Sequence, residues 1–297
     1  MKKSLRIDKI SQFNDQMGVE TLHPLVSVIN FDEVGPIQHF KRYMGVYAVF
    51  LKDVNCGNLL YGCQHYDYEE GILVFAAPGQ IYGIENEDFV KPAGYALLFH
   101  PDLIHGTALG QHINNYTFFH YEVSEALHLS KREREAIIDC FNNITFEIKR
   151  EIDSHSKTLI VSYIELFLNY CMRFYDRQFI TRTHVNSDIL VRFEKFLGSY
   201  FESSLPQTVG LPSVSSCAEE FNLSANYFGD LIKKETGKTA QEHIRLKLID
   251  ISKEKLFDES MTISEIAYQL GFKYPAHFTR IFKKEVGYTP NEFRMLK

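Results

Sequence analysis

Between residues 43 and 121 the apolar positions come in short runs: YMGVYAVFL, GNLLYG, GILVFAA, GYALLFH and YTFFHY. The runs are rich in aromatic and β-branched residues and are separated by Gly, Pro and Asn, which predicts short strands closing into a small sandwich or barrel. From about residue 130 the period changes. Ser130 and Glu133 form a capping box, and Ile137, Phe141, Ile144, Ile148 and Ile152 then recur at helical spacing. A second helix, from about 156 to 177, places Ile160, Ile164, Phe167, Cys171 and Phe174 on one face, flanked by Tyr163 and Tyr170. These stripes either pack on the barrel and on each other or form a dimer interface. The polar stretch DRQFITRTHVNS, 176–187, predicts a linker, giving domains at 1–180 and 187–297.

The second half repeats itself. KKETGKT at Lys233–Thr239 returns as KKEVGYT at Lys283–Thr289. Phe228 maps to Phe278, Leu231 to Ile281, Ile232 to Phe282 and Glu242 to Glu292 at the same fifty-residue offset. Each copy holds a helix with one buried stripe, followed by a glycine, Gly237 or Gly287, suited to a left-handed helix terminus. Each is preceded by a shorter helix and a tight turn: VSSCAEEFNLS with Ala218 and Phe221 inward, and TISEIAYQLGFKYPAHF with Ile266, Ala267 and Leu270 inward. Helix, tight turn, helix, with a small residue on the first helix, is the helix-turn-helix pattern, and it occurs twice. Between the copies, Ile244, Leu248, Ile251 and Leu256 mark one long connecting helix. A rigid connector holding two reading helices suits two successive major grooves on one face of DNA.

At this point the sequence resembles the AraC family of bacterial transcription regulators, closely over about 213–297. The segment IAYQLGFKYPAHFTRIFKKEVGYTPNEFR, Ile266–Arg294, follows that family's signature nearly throughout. The resemblance implies a DNA-binding domain of about seven helices, beginning with SDILVRFEKFLGSYFE from Ser187. It also implies an N-terminal cupin-like barrel that binds an effector. The expected fold class is therefore α+β: a small cupin-like β-barrel with two helices, then an all-α domain of two helix-turn-helix units joined by a long helix. By resemblance, Ala276, His277 and Arg280 sit where bases are contacted. Arg280 is the strongest candidate, because a guanidinium can bond guanine O6 and N7 together. Its alternative is an exposed arginine paired with Glu285 or bound to phosphate. Lys283 and Lys284 are expected on phosphate. In the first unit the outer face carries Asn226, Gly229, Asp230 and Lys233. Many members of the family have a basic residue where Asp230 stands, so the two units are not expected to contribute equally.

Charge sharpens the picture only locally. The chain has 297 residues and a net charge of -6, and residues 186–297 are neutral, with 15 cationic and 15 anionic side chains. Within Lys273–Lys297, however, six basic residues face Glu285 and Glu292 alone. The five cysteines, Cys56, Cys63, Cys140, Cys171 and Cys217, form no CxxC pair and are expected as reduced thiols. His65 and Asp67, with His100, His105 or His112, mimic a two-histidine, one-carboxylate site, but the fuller barrel metal motif is missing, and no metal or cofactor is expected. No apolar run approaches a membrane span, and the start MKKSLRIDKI lacks a secretion signal's apolar core, so a cytoplasmic protein is expected. The function these readings imply is a DNA-binding transcription regulator, not an enzyme. It is expected to act as an effector-responsive activator with promoter DNA, a small-molecule effector, RNA polymerase and a second copy of itself as partners. The rival readings are a metal-dependent barrel enzyme with an appended DNA-binding domain and an effector-independent architectural DNA binder.

Overall fold

A computed structural model describes residues 5–38, 42–52, 71–82 and 89–296. The chain divides into two compact units, Met1–Thr181 and Arg182–Lys297.

In the first unit the strands are β1 (Leu5–Ile7), β2 (Val26–Asn30), β3 (Ile37–Gln38), β4 (Arg42–Met44), β5 (Tyr47–Lys52), β6 (Ile72–Ala76), β7 (Ile81–Tyr82), β8 (Phe89–Val90), β9 (Tyr95–Phe99) and β10 (Leu127–His128). Its helices are α1 (Ile10–Met17), α2 (Pro101–Ile104), α3 (Ala108–His112), α4 (Lys131–Ile148) and α5 (Ser156–Thr181). The central sheet has the order β10-β6-β5-β9-β2, with every neighbouring pair antiparallel. The remaining strands form a three-stranded sheet, β1-β4-β7, and a two-stranded one, β3-β8. Among the described residues the sheets do not close into the expected barrel.

The register explains why. Side chains alternate across the central sheet, and both faces are apolar. Ile29, Ala48, Phe50, Ala76, Ala96 and Leu98 face a core shared with Ile10 and Phe13 of α1. The opposite face meets aromatic residues from beyond the sheet: Phe75 against Phe118 at 4.5 Å, Tyr47 against Phe119 at 5.0 Å, and Tyr95 against Phe141 of α4 at 6.1 Å. A sheet whose second face is covered by rings and helices already excludes water from its core and gains nothing from curling shut. The predicted strand at YTFFHY is one of the covering elements. Thr117–His120 is a 3₁₀ turn that buries Phe118 and Phe119. Of the other predicted strands, GNLLYG lies outside the described residues. The opening elements β1, α1 and β2 have no counterpart among the predicted ones.

Two further expectations are corrected. Ile152 does not continue the α4 stripe, because the helix ends at Ile148 and Ile152 is exposed. The polar linker is helix: α5 runs to Thr181 and α6 (Thr183–Glu202) begins two residues later. The stretch contains no Gly or Pro to stop a helix, and its first turn is anchored. The Gln178 side chain accepts from His128 N–H at 2.8 Å and donates to Ala126 C=O at 3.2 Å. Arg177 donates to His128 C=O at 2.6 Å and to the Glu133 carboxylate at 2.9 Å. The hairpin of α4 and α5 is thus fastened to the sheet's edge strand β10 by side chains that a sequence reading takes for solvent-facing.

The second unit is all helix: α6, α7 (Leu205–Thr208), α8 (Val214–Glu220), α9 (Ala225–Thr236), α10 (Ala240–Leu256), α11 (Ile263–Gln269), α12 (Pro275–Val286) and α13 (Pro290–Met295). The first repeat packs Phe228 edge-on to Phe193 of α6 at 5.0 Å and flat on Phe221 at 5.6 Å. The second repeat buries Ile266, Ala267, Leu270, Phe272, Phe278 and Phe282 with Leu248, Ile249 and Leu256 of α10. Phe201, from the end of α6, is buried in that same cluster, and Leu211 packs against it. The second repeat is therefore not self-sufficient. Its core is completed by a segment that precedes the first repeat in the chain. No helix among the described residues is long and apolar enough to cross a membrane.

Burial pushes the thiols of Cys140 and Cys217 up to about 11 and that of Cys171 well above its ordinary value, which keeps all three protonated and unreactive at neutral pH. Cys56 and Cys63 lie outside the described residues.

Three helices of the second unit start with the same capping box, Thr239/Glu242, Thr262/Glu265 and Thr289/Glu292. In each, the threonine backbone N–H, then its hydroxyl, holds the glutamate below its ordinary value of 4.5. A carboxylate depressed by folding contributes stability above its unfolded value and loses it as pH falls through the folded one. The thermal midpoint of the second unit should therefore be flat near neutrality and fall below about pH 4.5. Replacing all three glutamates with glutamine should flatten that acid limb in a melting series against pH; an unchanged limb would show that the caps do not set it.

Candidate nucleic-acid interface

Two helix-turn-helix units, α8–α9 and α11–α12, present their second helices with matched termini. Gly237 and Gly287 take φ of 73° and 88°, and their N–H groups close on Lys233 C=O and Lys283 C=O. Within each unit the turn is held by one equivalent bond: Leu223 N–H to Ala218 C=O at 3.1 Å, and Phe272 N–H to Ala267 C=O at 2.9 Å. Ala218 and Ala267 are both buried, as the close approach of the two helices demands.

The units differ at the turn. Ala218 and Ala267 are 49 residues apart, whereas Phe228 and Phe278 are 50 apart. The second turn thus carries one extra residue, at the entrance to α12. The left-handed position is Asn222 in the first turn, at φ 54°, and Gly271 in the second, at φ 92°. Asparagine tolerates that conformation, but Gly271 has a further constraint: an added Cβ would lie 2.7 Å from Pro206 O and 2.9 Å from Gly210 C. The second turn is pressed against the backbone of α7 and the residues after it.

On α12 the predicted division of faces is seen. Phe278 and Phe282 are buried, Ile281 and Val286 half-buried, and Ala276, His277, Arg280, Lys283 and Lys284 exposed. Glu285 is half-buried and turned toward α10, where its Oε1 lies 3.0 Å from Arg245 Nε. The alternative partner considered for Arg280 is thus engaged elsewhere, and Arg280 makes no ion pair among the described residues. His277 rests edge-on against Phe272 at 5.7 Å. On α9, Asn226 and Lys233 are exposed, while Gly229 and Asp230 are half-buried. Asp230 is engaged within the protein, and a Cβ on Gly229 would meet open space. The α9 surface is therefore less cationic than that of α12.

Sequence reasoning counted Lys273 only as part of a basic cluster and passed over Tyr274; both are exposed at the entrance to α12, with the lysine Nζ 5.7 Å from the tyrosine ring centroid. The slip from 49 to 50 in the repeat spacing was the signal that could have drawn attention to them. It also missed Arg245, whose role is set by a contact between helices. Of the candidate metal ligands, His65 and Asp67 lie outside the described residues, and no group of three His, Cys, Asp or Glu that could hold a metal occurs among the described ones. His100 instead caps α2, its Nδ1 accepting from Asp102 N–H at 3.1 Å, and His112 bonds Ala108 C=O at 2.9 Å.

A family profile described as a helix-turn-helix domain matches residues 217–295. This region is an AraC-type helix-turn-helix domain. The HTH-type transcriptional regulator YfiF of Bacillus subtilis (strain 168) is 32% identical over 148 residues, 50% of this chain and 44% of that protein. The HTH-type transcriptional activator RhaS of Salmonella arizonae is 35% identical over 78 residues, 26% of this chain and 28% of that protein. Among solved structures, the C-terminal domain of the response regulator AraT from Geobacillus stearothermophilus is 27% identical, covering 37% of this chain and 85% of that one, with a TM-score of 0.33. The chain spans less than half the length of these curated relatives.

The turn geometry makes two glycines separable. Gly271→Ala combines a positive φ with a backbone clash and should destabilise the second unit by about 2–4 kcal/mol. Gly237→Ala has a positive φ but open space and should cost only about 1 kcal/mol. Chemical denaturation of the two variants checks the order; equal losses would mean that the contact with Pro206 is unimportant.

Proposed function

We propose that this protein is a sequence-specific, DNA-binding transcription regulator acting on promoter DNA in the cytoplasm. The observation that carries the reading is α12 itself. Its inner face is locked into an aromatic core, and its outer face offers Ala276, His277, Arg280, Lys283 and Lys284 to solvent. Arg280 has no ion-pair partner among the described residues and is the side chain suited to bidentate contact with a guanine edge. Lys283 and Lys284 sit one turn further along, where they suit phosphate and so supply affinity without sequence information. The α9 helix contributes less: Asn226, Gly229 and Lys233 face the groove, and Asp230 limits attraction to phosphate. The relative named as an activator supports reading the sign of regulation as activation, with RNA polymerase as the partner. A domain of this kind in relatives named as transcriptional regulators supports a non-enzymatic role.

The first unit supplies assembly in this proposal. Its α4–α5 hairpin leaves Phe146, Leu159, Leu166 and Met172 exposed, and in this reading a second copy covers apolar surface of the hairpin in a homodimer. The effector-responsive part of the reading places a small molecule in the first unit.

A genome-wide map of bound DNA, with and without candidate metabolites, tests the reading as a whole; a map with no enriched motif would refute it. Arg280→Ala should cost about 1–3 kcal/mol on a selected site and relax preference at one base pair. Lys283→Ala should weaken every sequence alike and lower the salt slope by about one. Titrations on selected and random duplexes distinguish the two, and equal losses on both DNAs for Arg280→Ala would remove its assigned role.

Assembly has its own check. Sedimentation should find the full chain dimeric and the 182–297 fragment monomeric, and Leu166→Asp should dissociate the full chain without unfolding it. A fragment that dimerises as the full chain does would move the interface out of the first unit.

A further inference from the structure

The linking helix and the second reading helix are joined by a single ion pair. Arg245 of α10 lies with Nε 3.0 Å from Glu285 Oε1 of α12, and the two side chains are 35% and 20% exposed. The Nε atom itself is buried with no acceptor aligned along its N–H, so the contact is held by charge more than by a well-directed hydrogen bond. Among the described residues no other ion pair connects these two helices. The first reading helix is tied to α10 differently, through His243 Nε2 and Thr236 Oγ1 at 2.9 Å, at the foot of α9. Arg245 and His243 are two residues apart on α10. One short stretch of the linking helix therefore touches both reading helices.

We infer that the Arg245–Glu285 pair sets the placement of α12 relative to α9, and that Arg245 is a specificity-determining positioning residue although it lies off the DNA-facing side. The inference rests on the proposed DNA-reading function. When two reading helices sit on one rigid body, the second contact is intramolecular, and its contribution depends on how well the spacing of the helices matches that of the grooves. Packing of Phe278 and Phe282 in the aromatic core fixes the depth of α12, and what is left to restrain is small rotation about its axis and sliding along it. A charged contact at the helix's C-terminal half opposes both, and because it is half-buried it is screened less than a surface pair. Glu285 is on the same helix as Arg280, little more than one turn away, so a shift in one moves the other. The ion pair also explains why a glutamate is present on the most cationic helix of the chain: it faces the linking helix and not the DNA.

The test uses the full chain and duplexes selected by it from a random library. Three DNAs are compared: the selected site, the same site with one base pair inserted or removed between the two groove contacts, and the site with the groove of the first reading helix, α9, randomised. Wild type should prefer the native spacing by on the order of tenfold. The charge-neutral double variant Arg245→Gln/Glu285→Gln should lose about fivefold or more on the native spacing and should discriminate spacings by no more than about twofold. On the DNA with a randomised first groove it should bind within about twofold of wild type. The reversed pair, Arg245→Glu/Glu285→Arg, should restore the spacing preference, and melting curves confirm that each variant is folded. The inference is overturned if the glutamine variant loses the same factor on all three DNAs, or if it keeps the wild-type preference for spacing. If wild type selects no sequence at all, the DNA-reading function falls and this inference with it; if it selects one and the variants match wild type, only the inference falls.

Discussion

The constraint on which the second unit depends is that each reading helix must bury one stripe while leaving its remaining surface to solvent. Large side chains, Tyr227, Phe228, Leu231 and Ile232 on α9 and Phe278 and Phe282 on α12, supply the stripes. A twelve-residue helix has too little surface to be stable on such a stripe alone, so both are packed against a common partner. That partner is α10, whose Leu248, Ile249 and Leu256 lie in the second repeat's core and whose His243 bonds Thr236 at the foot of α9. Even Ser252 is fully buried, its hydroxyl satisfied by Leu248 C=O at 2.6 Å. The capping boxes start helices, and the left-handed glycines and tight turns end them, where this shared core requires.

The duplication was legible in the sequence because everything that defines it is local. Stripes at i, i+3 and i+4, a threonine three residues before a glutamate, and a glycine after the last turn can be read within a dozen residues. The exposed residues of α12 follow from the same periodicity, since whatever does not lie on the stripe faces out. In the first unit the information is not local. The aromatic run Thr117–His120 has the composition of a strand, and only the presence of the central sheet's second face makes it a plug. Likewise Arg177 and Gln178 look like linker residues until β10 is beside them. Contacts between distant segments also hid Arg245, whose partner is forty residues further along the chain.

The two repeats are alike in plan but not in dependence. The first is built from α6, α8 and α9 with the start of α10. The second draws on Phe201 and Leu211, which arrive from the chain's earlier course, and on the backbone around Pro206 and Gly210, which meets Gly271. Arg294 of α13 adds a further tie by donating to Leu256 C=O at 3.2 Å at the end of α10. The polypeptide thus crosses from the first repeat's side to the second's and back before the first repeat is finished. Such interlocking makes the second unit one cooperative body, with α9 and α12 held as parts of it.

The crossing at Phe201–Leu211 limits how this molecule can be cut and rejoined. The sequence invites treating the last stretch, from Thr262 onward, as a cassette to be exchanged for a new binding preference. A transplant of that stretch alone would leave a hole where Phe201 and Leu211 belong and would set Gly271 against whatever backbone the host offers. The natural seam instead lies at Arg182, upstream of α6. Recombination that respects that seam moves both reading helices together, and any change of preference within them has to come by substitution on the outer face.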